Sequence, residues 1–191
     1  MQNFDPNAYG RAVADLLKLG RLMPLGPGSP NRDAHSTLQL LLAETLFAPL
    51  PCRDREAAEA CCAALWLYHD HLDRSHRISQ GLKTREGSYW HAIMHRREPD
   101  FGNAKYWFDR VGEHPIFEAL RAAAAELTAG VPPHRHSAFL RSQRSWDPYA
   151  FVDLCEACST GDTECEMLCR QIQQREWELL FDHCYRCTVE P

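Results

Sequence analysis

The sequence predicts an all-α fold, a single-domain helical bundle of about eight helices over residues 1–191 with no significant sheet. Ala and Leu together supply 44 residues while Val and Ile supply nine. That imbalance favours helix, because β-branched side chains lose χ1 freedom there and Ala and Leu lose little. No short stretch sustains period-two alternation and no Asn-Gly or Asp-Gly hairpin turn occurs. Capping residues and prolines, in contrast, recur at helical spacing.

Taken in order, Tyr9, Val13, Leu16 and Leu17 mark a first amphipathic helix ended by Gly20, and the Pro/Gly-rich residues 24–30 form a loop. Leu38, Leu41, Leu42 and Leu46 mark a second helix, stopped before Pro49. Asp54 is placed as the N-cap of a long third helix, with Glu56 in its first turn, running to about Gln80. A fourth, near Ser88 to Glu98, ends at Pro99, since the residue before proline leaves the α region. Asn103 caps a short fifth helix, and His114-Pro115 opens a sixth that Gly130 closes. Residues 131–146 read as a polar loop. Asp147-Pro148 repeats the cap-plus-proline signal for a seventh helix, and Thr163 with Glu166 forms a capping box for a long eighth. No repeat at solenoid spacing occurs.

Charge and cysteine usage narrow the function class. The net charge is −5, and residues 151–191 hold nine Asp/Glu against three Arg, which leaves the rest about neutral. Nucleic-acid binders carry a basic excess, so no nucleic-acid partner is expected. No stretch approaches the roughly 20 apolar residues that span a bilayer, and the N-terminus lacks an export signal, so the expectation is no membrane partner and a cytoplasmic location. In that setting the nine cysteines read as thiols or metal ligands rather than disulfides. The pairs Cys155-x-x-Cys158 and Cys184-x-x-Cys187 have zinc-ribbon spacing, but they fall in expected helices without knuckle turns, which favours buried thiols.

Chemistry-bearing residues concentrate between positions 69 and 107. The third helix continues its apolar stripe Ala58, Cys62, Leu65, Leu72 into a polar row of His69, Asp73, His76 and Gln80. Unpaired burial of such groups costs about 1–3 kcal/mol each, so the row implies partners, water or a ligand. His91 and His95 stand at i and i+4 and project from one face of the fourth helix. Asp73, His76, His91 and His95 make a ligand set for one divalent metal, zinc, iron or manganese. Beyond them, Arg96, Arg97, Asn103, Lys105 and Tyr106 are expected at the mouth of the pocket, where they recognise a small anionic ligand. The functional expectation is therefore a His/Asp-lined polar pocket with hydrolase-like chemistry. The alternative is a non-enzymatic interaction module in which these groups satisfy one another.

The run Glu86-Gly87-Ser88-Tyr89-Trp90-His91-Ala92-Ile93-Met94-His95-Arg96-Arg97-Glu98, continued by Asn103-Ala104-Lys105-Tyr106-Trp107, resembles the signature block of a protein family that has no established activity. The resemblance implies that this region is that family's distinguishing part. A second resemblance is to the metal-dependent phosphohydrolases of the HD superfamily, which are all-α and use an H…HD…D ligand pattern. His35, His69-Asp70 and Asp100 or Asp109 imitate that pattern here, although His69 and Asp70 fall where the sequence predicts mid-helix.

Overall fold

The computed structural model describes residues 4–18, 20–132, 134–160 and 165–190. Among them the chain is helical with no strand, as the composition requires. Short 3-10 turns at Pro6–Tyr9 and Ala43–Thr45 accompany ten α-helices: α1 Arg11–Leu17, α2 Arg32–Gln39, α3 Arg55–Tyr68, α4 Leu72–Gly81, α5 Arg85–Arg97, α6 Phe101–Val111, α7 Phe117–Ala129, α8 Phe139–Ser142, α9 Pro148–Ser159 and α10 Glu166–Val189.

The centre of the bundle is α3, α5 and α10. Helix α3 is buried on almost every face because it is built of Ala, Cys and Leu, small enough to let neighbours approach closely. Residues 87–97 of α5 are all buried. Helix α10 packs against α3, α7 and α9, with the Trp177 indole donating to the Ala64 carbonyl at 3.0 Å. Helices α4 and α6 lean against α5 from two sides. Local chemistry sets the starts of these elements. The carboxylates of Asp54 and Asp147 accept the first free amides of α3 and α9, and the Thr84 hydroxyl does the same for α5.

The expected third helix is two helices. It stops at His69, Asp70 takes a left-handed conformation (φ 61°), and α4 restarts at Leu72. A non-glycine residue holds positive φ only when its surroundings over-determine it. Here they do, since the Asp70 carboxylate accepts from Arg97 at 2.5 Å through one oxygen and from Arg21 through the other. Gly28 makes the approach possible: a Cβ there would lie 2.6 Å from that carboxylate. Arg97 also donates to the carbonyls of Leu67, Gly26 and Pro27, and so ties the Pro/Gly loop onto the end of α3.

Smaller corrections have similar causes. Asp100, not Asn103, caps α6, accepting from the Asn103 amide. The helix expected at Pro115 begins two residues later, after a turn in which the Phe117 amide bonds the His114 carbonyl. The stretch 131–146 contains α8 and the buried Trp146 rather than only polar loop. The second helix ends at Gln39, leaving Leu40 and Leu42 exposed. Of the expected capping box on α10, Thr163 lies outside the described residues.

Candidate functional site

The connection from Leu82 to Thr84 is short enough to fold α5 back against α4. Gly87 permits this tight return, because a Cβ there would stand 2.4 Å from Leu82 Cβ. The hairpin brings His76 of α4 against His91 and His95 of α5, with ring centroids 4.7 and 5.1 Å apart. One ligating atom from each of the three lies within 4.8 Å of the others. An all-nitrogen face on zinc has edges of about 3.3 Å at ordinary Zn–N lengths, so small side-chain rotations close the difference.

His91 is the innermost member. Its ring lies between His95, stacked at 4.7 Å, and Trp107 of α6, stacked at 4.0 Å. It is 1 % exposed, and neither ring nitrogen has a hydrogen-bond partner. Burial, reinforced by the neighbouring His95 and His76, pushes its pKa down to about 3, so the ring is neutral and keeps a lone pair at physiological pH. His95 is shifted down for the same reason, burial first and then His76.

His95 has acquired orienting groups. Its Nδ1 faces Glu98 at 3.4 Å and Asp100 at 3.9 Å, while the Asn103 amide lies 3.3 Å from Nε2. The Asn103 side-chain NH2 can only donate, so Nε2 is the lone-pair atom and Nδ1 carries its proton toward the carboxylates without completing a hydrogen bond; a metal on Nε2 would take the place of the Asn103 contact. Burial raises the Glu98 pKa, with Asp73 and Asp100 adding to the effect and His76 opposing it.

Glu98 and Asp100 also line an open cleft of about 810 Å3 that runs past Asp73, Arg74, Arg77 and His35 to Gly28. The histidines therefore sit beside the cleft, joined to it by these two carboxylates. Asp73 is exposed on the cleft wall and outside the histidine group, because the break at Asp70 shifts the phase of α4 so that Leu72, Ser75 and Ser79 face inward instead.

The expected anion-binding residues are mostly elsewhere. Arg96 is buried against α10, where Glu176 accepts from it at 2.5 Å and from the Tyr89 hydroxyl at 3.1 Å, and its guanidinium covers the Phe151 ring at 4.7 Å. Arg97 is held by Asp70. Neither stands at a pocket mouth, since each answers a buried carboxylate. Lys105 pairs with Asp153 of α9, and Tyr106 is exposed beside Arg110. Only Asn103 reaches the histidines. Arg74 and Arg77 supply the cleft's positive charge, and Trp107 stacks on His91 behind it. Arg74 and Arg77 follow from the polar face of α4.

Of the HD-like set, His35, Asp70 and Asp100 line the cleft, but they do not form one of the close metal-competent groups among the described residues. Asp70 is engaged by two arginines, the Asn31 side chain donates to His69 Nδ1 at 3.1 Å, and Asp109 accepts from the Tyr149 hydroxyl. The C-terminal cysteine pairs diverge as well: Cys158 and Cys169 are 3.5 Å apart, whereas Cys184 interacts with Cys61. Among the described residues the groups of metal-competent side chains are His76, His91, His95 and Glu86, His114, His183. Among the described residues no helix is long and apolar enough to cross a membrane.

The chain matches no protein-family model, no curated protein and no solved structure. The signature-block resemblance brings no activity with it. Any functional reading therefore rests on the geometry just described.

Proposed function

We propose that the protein binds one divalent metal ion through His76, His91 and His95, and that this metal takes a small anionic ligand from the adjoining cleft. The observation that carries the reading is His91, a fully buried neutral imidazole with both nitrogens unpartnered and two further imidazoles at ligand distance. An orphaned buried polar group costs about 1–3 kcal/mol, and a metal ion converts that cost into a bond. Three histidines suit zinc or iron, less so manganese once Asp73 lies outside the group, and leave at least one coordination position for water or ligand.

The cleft alone is a poor anion site. Asp73, Glu98 and Asp100 oppose Arg74 and Arg77, and Asp70 is already neutralised. A divalent ion beside it reverses that balance, so anion binding depends on the metal. A metal held by the three histidines would supply Lewis acidity and a bound water that ionises near neutral pH, the chemistry a hydrolase uses. Titration calorimetry with zinc and then inorganic phosphate tests it: phosphate should bind the zinc-loaded chain and not the metal-free one, and Arg77→Ala should weaken phosphate alone. Equal phosphate binding with and without metal would refute the coupling.

A second reading has an observation in its favour. The network of Arg96, Glu176, Tyr89 and Gln173 is the mutual satisfaction expected of a non-enzymatic interaction module. It accounts for these residues and leaves His91 unexplained.

A further inference from the structure

Glu86 stands in the first turn of α5, His114 in the connection from α6 to α7, and His183 three-quarters of the way along α10. Nothing in their sequence separation brings them together; the packing of three elements does. Glu86 Oε1 lies 3.3 Å from His183 Nε2 and 3.7 Å from His114 Nε2, and the two imidazole rings are 4.9 Å apart. The ligand edges of a tetrahedral zinc with nitrogen and oxygen donors are about 3.3 Å, so two measured edges already approach those of a loaded site.

The group is only partly satisfied from within, through the hydrogen bond of 3.3 Å between His183 Nε2 and Glu86 Oε1. His114 is buried, and its Nε2 has no hydrogen-bond partner although it faces Glu86. The Glu86 carboxylate faces both imidazoles from the first turn of α5 and is the oxygen donor of the group. Partial exposure of Glu86 and His183 leaves an entry path. Cys187 Sγ is 3.8 Å from His183 Nε2, one helical turn further on, which places a soft donor beside the group and favours zinc over magnesium or calcium.

We propose that Glu86, His114 and His183 form a second divalent-metal site, of the zinc class, that pins the start of α5 and the entry to α7 onto α10. Coordination through His114 Nε2 moves its proton to Nδ1 and gives up the long 3.4 Å contact from the Ile116 amide, which a small turn of the ring relieves. The metal would take the place of the Glu86–His183 hydrogen bond and of the looser Glu86–His114 contact. Its site is independent of the histidines of the α4–α5 hairpin.

Equilibrium dialysis of the full chain against buffered zinc, with elemental analysis, tests the proposal. In a His91→Phe background, which removes the hairpin site, one zinc per chain should remain. Adding His183→Gln or, separately, Glu86→Gln should weaken that zinc at least tenfold while circular dichroism stays helical. A His91→Phe chain that binds no zinc would overturn the second site, as would unchanged zinc affinity in both double variants. Wild type should bind two. If it binds one, the background variant shows which site holds it.

Discussion

Replacing His91 with Phe separates a metal ligand from a merely buried histidine. Phe preserves the stack between Trp107 at 4.0 Å and His95 at 4.7 Å while deleting both orphaned nitrogens. Removing those nitrogens relieves about 1–3 kcal/mol of unmet desolvation, and the larger ring costs a similar amount in overpacking. The metal-free variant should therefore unfold within about 2 kcal/mol of wild type. The metal response should differ. A ligand at one hundred times its dissociation constant stabilises the native state by about 2.7 kcal/mol, roughly 5–11 °C in Tm for a chain of this size. Differential scanning fluorimetry with zinc, manganese and cobalt reads both quantities. If the second site also binds, its contribution is removed by making the comparison in a His183→Gln background. A His91→Phe chain that keeps the full metal-induced shift, or a parent chain that shows none, refutes the reasoning.

Glu176→Gln should destabilise the fold by about 3–5 kcal/mol, because it leaves the fully buried Arg96 without its counter-charge; urea denaturation would expose the error if the midpoint barely moves. Gly28→Ala adds a Cβ 2.6 Å from the Asp70 carboxylate at a φ of +71°, so a loss of about 2 kcal/mol or more is expected, and unchanged stability would show that Asp70 is not held as described. Stability should also fall with acid. An unfolded histidine takes its proton near pH 6.5 and folded His91 only near about 3, so the unfolded chain binds more protons between those values and the contribution, full above 6.5, is lost as pH drops through the window. At about 1.4 kcal/mol per unit, His91 alone removes about 2 kcal/mol between pH 6.5 and 5, with the downward-shifted His69 adding to it. Equal unfolding free energies at pH 7 and pH 5 would contradict this.

The helical class and the starts capped by Asp54 and Asp147 were readable because their causes are local, each carboxylate acting on amides two or three residues away. The Thr84 cap of α5 is equally local, but the expected start near Ser88 passed over it. The break at Asp70 was not readable, since it depends on Arg21 and Arg97, 49 and 27 residues distant, and on the room left by Gly28. That single break moved Asp73 and Gln80 outward while His76 stayed at the α5 interface. Arg96 illustrates the same limit. An arginine in a polar run looks like a surface group, and only the fold reveals Glu176 80 residues away as its partner. The i, i+4 spacing did carry His91 and His95 to one face, but Trp107 and the pairing of Glu86 with His114 and His183 come from helix packing that no spacing announces.

The most direct test is a crystal of the full chain soaked in zinc and measured at the zinc absorption edge. The account predicts an anomalous peak among His76, His91 and His95, about 2.0–2.1 Å from one nitrogen of each, with His95 Nδ1 turned to Glu98 or Asp100. No peak there, with the His91 nitrogens instead satisfied by ordered water, would contradict it.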